Sequence, residues 1–255
     1  MCELFGASLK RKADLKNYLK EFYSHCTMHP HGWGIMSESD GSLFIEKEAV
    51  RADRSDNLKY IIGTLPMQSI TLAHIRYATV GSMIQENAHP FTALDKNGRR
   101  WTLIHNGTIY SGFELMKYLE LQKGDTDSER VFMYFMDMVN AAIDQKGELT
   151  CEDRFELVEE LALRLSARNK FNFMIYDGEL LYVHKNMKGT LSYEHDENGY
   201  VFSTQPLAGG EGWDSFPLCR VAAYKNGERV FVGKHHNNLF IPTLDYISAF
   251  DAMNI

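Results

Sequence analysis

The chain carries a cysteine, Cys2, directly after the initiator methionine. If Met1 is removed, one residue holds both a thiol and the α-amine of the chain. The amine then has a pKa of about 7.7–8.0, close to the value of about 8.5 for an unperturbed thiol. A neutral amine can therefore take the proton of the thiol, directly or through a water, and activate the sulfur as a nucleophile. Because any residue can follow Met1, this position needs support from the rest of the chain.

Four polar clusters follow Cys2, at the ends of strand-like runs or at the start of a helical one. They cover residues 74–81, 87–91, 105–109 and 124–129. An arginine such as Arg76 at the end of a strand is commonly just solvated. Its planar guanidinium, however, matches a carboxylate in a way that lysine cannot. Four such clusters in this order, behind a cysteine at position 2, favour a single active site.

Alternating helical and strand-like stretches would position these clusters. Apolar residues at helical spacing predict helices at residues 13–23, 57–63, 113–121, 128–143 and 151–166. Strand patterns cover residues 3–9, 32–36, 42–46, 69–77 and 100–106 and recur from residue 171 onward. Hairpin turns are indicated by Asp40-Gly41, Asp177-Gly178 and Asn226-Gly227. The pattern predicts an α+β protein with several antiparallel strands, and the lack of a linker favours one domain over residues 1–255.

The composition narrows the class of partner. With 255 residues, of which 44% are hydrophobic, the chain can bury a substantial core. Its net charge of −7 and the lack of a basic stripe argue against nucleic-acid binding. No apolar run approaches the roughly 20 residues that span a bilayer, and the start lacks the profile of a signal peptide. Four scattered cysteines do not suggest disulfides. We therefore expect a cytoplasmic protein with a small-molecule substrate, and neither nucleic acid nor membrane as a partner.

Together, the clusters resemble the class II glutamine amidotransferases of the N-terminal-nucleophile hydrolase superfamily. The matching residues are Cys2, Arg76-Tyr77-Ala78-Thr79, His89-Pro90, Asn106-Gly107 and Thr126-Asp127-Ser128-Glu129. The Gly-Trp-Gly segment at residues 32–34 resembles that of the stand-alone members. Any one of these motifs is weak, but their order and spacing together are specific. The resemblance implies a four-layer αββα sandwich of two mainly antiparallel sheets, where the sequence itself supports only an α+β fold.

The resemblance also implies which residues act at the reacting bond. Cys2 would attack the γ-amide carbonyl of glutamine, while the side-chain amide of Asn106 and the N–H of Gly107 would bind the oxyanion. Loss of one such donor typically raises the barrier by about 3–4 kcal/mol. The thioester on Cys2 would then be hydrolysed to glutamate, with the α-amine relaying the proton. No cofactor and no metal are implied.

Other matching residues would bind the rest of glutamine. Arg76 is implied for the α-carboxylate and Asp127 for the α-ammonium, and we call these two residues the clamp. Tyr77, Thr79 and His89 match positions that form the pocket, with a supporting role for Thr79 and His89 rather than proton transfer.

Three positions depart from the family pattern. Tyr77 stands where synthase-linked members often have tryptophan, and Val80 replaces a frequent histidine. His31 stands where stand-alone members often have an acidic residue. Because the clamp is retained, these departures concern the outer pocket and the choice of substrate.

Free glutamine is the first candidate substrate, with its ammonia transferred to an unknown acceptor. The candidate partner is a separate ammonia-accepting synthase subunit, because 255 residues leave no room for a synthase domain. The second candidate is a γ-glutamyl peptide or amine amidohydrolase. An alternative of another class is a catalytically silent, amidotransferase-like subunit that only binds a partner or ligand.

Some residues permit other interpretations. Residues 25–31 hold four possible zinc ligands, which would be crowded in so short a segment. Acidic side chains alternate over residues 125–129 as in calcium loops, but Arg130 stands where an EF-hand loop needs glycine. His235-His236 is expected at the surface. Four apolar side chains are expected in the core rather than at a binding site: Trp33, Met133, Met136 and Met138.

Overall fold

The computed structural model describes residues 2–39 and 41–242 of the chain. Within these residues, thirteen strands form two sheets in which all neighbouring strands run antiparallel. The strands are β1 (Glu3–Ala13), β2 (Trp33–Ser39), β3 (Ser42–Glu48), β4 (Gln68–Ile75), β5 (Phe91–Leu94), β6 (Arg100–Thr108), β7 (Lys170–Tyr176), β8 (Leu181–Lys185), β9 (Ser192–Asp196), β10 (Gly199–Ser203), β11 (Asp214–Ser215), β12 (Arg220–Lys225) and β13 (Glu228–Val232). The α-helices are α1 (Lys16–Ser24), α2 (Asp56–Thr64), α3 (Asp127–Lys146) and α4 (Cys151–Ser166). Short 3-10 helices cover His25–Thr27, Ala52–Arg54, Gln85–Asn87, Phe113–Tyr118 and Ala208–Gly210.

Three apolar clusters separate four layers. The seven-stranded sheet has the order β11-β9-β10-β1-β4-β2-β3, and the six-stranded sheet has the order β13-β12-β8-β7-β6-β5. One cluster lies between the sheets and includes Leu4 and Ile104. The others lie on the outer faces, with Phe5 under α1 and α2 and Leu103 under α3 and α4. Successive strand residues point to opposite faces, so neighbours such as Leu4 and Phe5 enter different layers. The expected αββα sandwich is confirmed.

The first strand is longer than its sequence pattern predicts. It continues beyond residue 9 to Ala13, and the helix expected from residue 13 begins only at Lys16. The added residues stay extended because they pair with other strands. The N–H of Lys10 donates to the carbonyl of Asn198 at 2.7 Å, and Ala13 lies opposite Gln68. Tertiary pairing therefore overrides the helical spacing at this boundary.

Other local signals correspond closely to the observed elements. The helix predicted at residues 113–121 is a shorter 3-10 helix over Phe113–Tyr118, and its buried Leu115 and Tyr118 share one side because residues i and i+3 eclipse. The turns at Asp177-Gly178 and Asn226-Gly227 are confirmed as hairpin connections. Asp40 of the third predicted turn lies outside the described residues. In the described part of the chain, no helix has the length and apolar character that crossing a membrane requires.

The expectation that His235-His236 is a surface pair is wrong for His236. His236 is half-buried, and its Nε2 lies 2.9 Å from Nε2 of the buried His184. His184 also contacts the Phe171 carbonyl through Nδ1 at 2.7 Å, so Nδ1 is the donor and Nε2 the acceptor. His236 then donates from Nε2, while its Nδ1 accepts the N–H of Asn238 at 3.2 Å. Two neutral rings therefore bind residues 236–238 to the six-stranded sheet.

Because the buried His184 and the half-buried His236 are neutral rings, we expect the protein to lose stability in acid. Burial lowers the pKa of His184 from 6.5 to about 3 and that of His236 to about 4. Between pH 6.5 and those values the unfolded chain binds more protons than the folded one, so stability falls as the pH falls. For His184 alone, the loss from pH 6.5 to pH 5 is about 2 kcal/mol. Urea unfolding at pH 6.5 and pH 5 should show a smaller loss of unfolding free energy for His184→Phe than for the wild type. His235→Gln, a change on the exposed neighbour, should keep the wild-type loss, and equal losses in all three proteins would contradict the prediction.

Candidate active site

Cys2 directly precedes β1, which lies between β4 and β10 in the seven-stranded sheet. Its Sγ is 3.4 Å from both the backbone N and the carbonyl O of Tyr77, which follows β4. The thiol is partly buried and lines a cavity of about 490 Å³ together with Tyr77 and Asn106. The packing of the two sheets therefore brings together residues 2, 77 and 106, which are far apart in the sequence.

The surroundings of Cys2 hold its thiol in the protonated form. Burial raises the pKa of the Cys2 thiol, while the Tyr77 backbone and the cations of Arg76 and Lys170 act in the opposite direction. A neutral thiol is a weak nucleophile, since the thiolate is the reactive form. This environment therefore requires a base close to the sulfur, and the α-amine of an N-terminal cysteine is such a base.

Asn106 presents its side-chain amide on the inter-sheet face of β6. Lys170 Nζ donates to Asn106 Oδ1 at 2.8 Å, and both side chains are about 1% exposed. Because a lysine ammonium only donates hydrogen bonds, the amide oxygen must face Lys170 and the NH₂ group must face the other way. Asn106 lines the cavity with Cys2, so an N–H donor is available there. Burial lowers the pKa of Lys170 to about 7. The sequence analysis assigned no role to Lys170, which directly precedes the strand pattern that begins at residue 171.

Gly107 lies where β6 and β7 approach each other too closely for a side chain. A Cβ at this position would lie 2.0 Å from the carbonyl O of Lys170 and 2.4 Å from Nε2 of His105. The backbone of Gly107 can therefore stay next to Asn106 only without a side chain.

Gly107→Ala is expected to lower the free energy of unfolding by about 2–3 kcal/mol, because the added methyl forces β6 and β7 apart. Urea unfolding followed by circular dichroism measures the change. Gly63→Ala is the matched control: its Cβ would meet no atom within 4 Å, and its position in α2 favours alanine by up to about 1 kcal/mol. Equal unfolding midpoints for the two variants would contradict this explanation of Gly107.

Arg76 is buried and shapes the loop that follows β4. Its Nη1 donates to the carbonyl of Ser82 at 3.0 Å, and its Nη2 donates to Val80 at 3.0 Å and to Gly81 at 3.3 Å. These contacts use three of the five N–H groups of the guanidinium and leave two for a ligand. Arg76 can thus hold the loop and still contact a carboxylate.

The same loop is fixed at its far end by two residues that had no individual role in the sequence analysis. Asp125 accepts the N–H of Ser82 at 2.9 Å and its hydroxyl at 2.7 Å. Asn87 donates from Nδ2 to the Ser82 carbonyl at 2.8 Å and accepts the N–H of Asp125 at 2.9 Å. The bonds from Ser82 lower the pKa of Asp125. Both residues lie within the polar clusters, but no local spacing rule pairs them, because 38 residues separate them.

Asp127 is the first residue of α3, and its carboxylate lies beside the end of β6. Oδ2 accepts the N–H of Ile109 at 2.8 Å, and Oδ1 accepts the N–H of Ser128 at 2.9 Å. Thr126 caps the helix by accepting the N–H of Glu129. A carboxylate is favoured at a helix N-terminus, and these two backbone N–H groups fix the position of the Asp127 side chain.

Thr79 and His89, the two supporting residues, occupy different environments. Thr79 is exposed, and its Oγ1 lies 3.4 Å from Oγ1 of Thr108, the residue after Gly107. His89 is buried, and its ring centroid lies 4.0 Å from that of His74. Neither ring nitrogen of His89 has a hydrogen-bond partner among the described residues, and burial lowers its pKa well below 6.5. His89 does not line the cavity that contains Cys2.

His31, one of the departures from the family pattern, supports the Arg76 loop. Its Nδ1 accepts the N–H of Ala78 at 2.8 Å, and its ring lies 5.2 Å from that of Tyr77. Burial lowers the pKa of His31, which favours the neutral ring that this acceptor contact needs. Trp33 is fully buried, as expected.

The cavity extends away from Cys2, and neither clamp residue, Arg76 or Asp127, lines it. Its lining residues are Cys2, Glu3, Ser24, His25, Thr27, Met28, His29, Tyr77, Asn106, Gly189, Thr190, Thr204 and Gln205. Glu3 forms part of the wall, 2.8 Å from Nδ1 of His25 and 3.7 Å from Nε2 of His29. The hydrogen bond to Glu3 raises the pKa of His25. Among residues 2–39 and 41–242, no group of three or more His, Cys, Asp or Glu side chains is arranged to hold a metal ion.

Two proteins from other organisms have sequences that are similar to most of this chain. A protein from Methanocaldococcus jannaschii, described as uncharacterized, is 28% identical over 96% of this chain and 75% of its own length. A Haemophilus influenzae protein, named provisionally as a glutamine amidotransferase, is 25% identical over 90% of this chain and 86% of its own length.

Solved structures share the fold. Glutamine phosphoribosylpyrophosphate amidotransferase from B. subtilis matches 93% of this chain with a TM-score of 0.67 and 19% identity. This chain spans 50% of that protein's length. A glutamine aminotransferase class-II domain protein from Silicibacter pomeroyi matches 90% of this chain and 97% of its own, with a TM-score of 0.57 and 15% identity. The sequence profile of the family described as glutamine amidotransferases class-II matches residues 1–194. With about three quarters of its residues covered by that profile, this chain belongs to the class II glutamine amidotransferases.

Proposed function

We propose that the protein hydrolyses the γ-amide of glutamine, with Cys2 as the nucleophile, in one domain over residues 1–255. The observation that carries this proposal is the meeting of Cys2 and Asn106 in one cavity, with the Asn106 NH₂ group directed away from Lys170. Together with the backbone N–H of Gly107, that amide would bind the oxyanion. Preorganised donors of this kind are usually the largest contribution to catalysis of acyl transfer.

The proposed reaction proceeds in two stages. The α-amine of Met1-free Cys2 takes the thiol proton, and the sulfur adds to the γ-carbonyl carbon to give a tetrahedral oxyanion. When this intermediate collapses, the C–N bond breaks, the proton passes to the leaving nitrogen, and ammonia leaves a γ-glutamyl thioester. Water, deprotonated by the same amine, then attacks the thioester carbonyl. The C–S bond breaks, glutamate leaves, and the thiol regains its proton.

The clamp would hold the other end of the substrate. Arg76 retains two N–H groups for the α-carboxylate, and the carboxyl group of Asp127 would bind the α-ammonium. Tyr77 and Thr79 would border the bound amino acid. The ammonia acceptor is proposed to be a separate synthase subunit, by analogy with the B. subtilis amidotransferase, of which this chain spans half.

One observation favours a second candidate, a γ-glutamyl peptide or amine amidohydrolase. The cavity of about 490 Å³ includes Cys2 but neither clamp residue. A γ-glutamyl group held by Arg76 and Asp127 would therefore direct the substituent on its amide nitrogen into that cavity. Ammonia needs far less room, so the space would accommodate a larger leaving amine.

Glutamate release from Met1-free protein tests both candidates, with L-glutamine and a panel of N-substituted γ-glutamyl amides as substrates. Release from glutamine that disappears in Cys2→Ala would support the glutaminase. Release only from substituted amides would support the second candidate, and no release from any substrate would favour a silent subunit. Thr27→Trp narrows the cavity at an exposed lining residue. It should lower kcat/KM for the substituted amides more than for glutamine if the leaving amine lies there.

A further inference from the structure

We propose that Lys170 is a positioning residue for the oxyanion: it holds the Asn106 amide with the NH₂ group toward the carbonyl that Cys2 attacks. This inference rests on the proposed function, since it assigns Asn106 to the oxyanion. The contact that carries it is the 2.8 Å hydrogen bond from Lys170 Nζ to Asn106 Oδ1.

The backbone explains how a residue 64 positions away reaches Asn106. In the β6–β7 pair, Asn106 lies opposite Asn172 and Thr108 lies opposite Lys170. Lys170 is thus the diagonal neighbour of Asn106 on the same face, at a distance that a long side chain can span. Both residues share a strand face with Ile104 or Met174 of the cluster between the sheets, and Asn106 lines the same cavity as Cys2.

Orientation matters because the two ends of an asparagine amide have opposite hydrogen-bonding character. Rotation by 180° exchanges the NH₂ donor for a carbonyl acceptor with almost no change in shape. An acceptor facing the oxyanion would repel it. In that flipped state the Asn106 NH₂ would also face the Lys170 ammonium, and two donors cannot bond. Lys170 therefore stabilises the orientation that catalysis needs over the one that it cannot use.

The burial of Lys170 supports a functional reason for its presence. Its side chain is 1% exposed, and a buried ammonium carries a large desolvation cost. An apolar residue of similar volume would generally stabilise the fold at least as well.

Glutamine kinetics of Lys170→Met test the proposal. We expect kcat to fall about 10- to 100-fold with KM within about twofold, because an oxyanion contact acts in the transition state rather than in substrate binding. In an Asn106→Ala background, Lys170→Met should lower kcat by no more than about twofold further. Lys185→Met is the matched control: Lys185 is also buried but bonds the Leu191 carbonyl and Ser215, and its loss should leave kcat unchanged. Lys170→Gln, which keeps a donor without the charge, should lie between wild type and Lys170→Met.

An unchanged kcat in Lys170→Met, or losses that multiply in the double variant, would overturn the proposal. A readout that needs no activity separates it from the proposed function. The Asn106 side-chain amide signals of ¹⁵N-labelled protein, identified by their loss in Asn106→Ala, should move in Lys170→Met and stay in place in Lys185→Met. Unmoved signals would rule out the positioning contact. If the signals move in Lys170→Met but the wild type releases no glutamate, the positioning contact is supported and the proposed function is rejected.

Discussion

Glutamate release is expected to increase at least about 100-fold when Cys2 becomes the first residue of the chain. A tag that ends in a protease site directly before Cys2 allows one preparation to be assayed before and after cleavage. Before cleavage, the Cys2 nitrogen is an amide and cannot accept a proton. The buried thiol, whose pKa is raised, then has no base next to it. A positioned general base typically contributes about 10²- to 10⁴-fold to the rate.

Two controls accompany the assay before and after tag cleavage. Cleaved Cys2→Ala should stay at background, because it retains the amine and lacks the nucleophile. Intact mass measures the fraction of chains that begin with Cys2, and activity should rise in proportion to that fraction. Full activity in the uncleaved chain would show that the α-amine is not the base.

Asn106→Ala is expected to lower kcat for glutamine by about 10²- to 10³-fold, with little change in KM. The amide would contact the oxyanion only as it forms, so ground-state binding loses little. Asn106→Asp should be no more active than Asn106→Ala. Its carboxylate would form an ion pair with Lys170 and present an acceptor, rather than a donor, to the oxyanion. Steady-state kinetics over a range of glutamine concentrations separates the two parameters.

Asn57→Ala is the control for that substitution, because Asn57 is exposed in α2 on the other side of the seven-stranded sheet. It should retain wild-type kcat. If Asn106→Ala raised KM and left kcat unchanged, Asn106 would be a substrate-binding residue and the oxyanion assignment would be wrong.

Much of the fold could be predicted from local patterns. The Asn226-Gly227 turn and the helical spacing of apolar residues in α3 and α4 act over a few residues each, so they can be read directly from the chain. The end of β1 could not be predicted in this way. Residues 10–13 are extended because Asn198 and Gln68 supply pairing partners from distant parts of the chain, whereas the local pattern ends the strand at residue 9 and begins a helix at residue 13.

In the candidate site, too, some features follow from the sequence and others only from the tertiary structure. The residue types and their order, from Cys2 to Asp127, were sufficient to predict the family. Contacts between distant residues depend instead on the register of the sheets. Lys170 reaches Asn106 because Thr108, and not its neighbour, lies opposite Lys170. A slip of one residue would turn the lysine to the other face. The side of Cys2 on which the cavity opens likewise depends on the packing of α1 and on loops that no local pattern describes. The candidate nucleophile could therefore be predicted from the sequence, while its neighbours were decided by the tertiary structure.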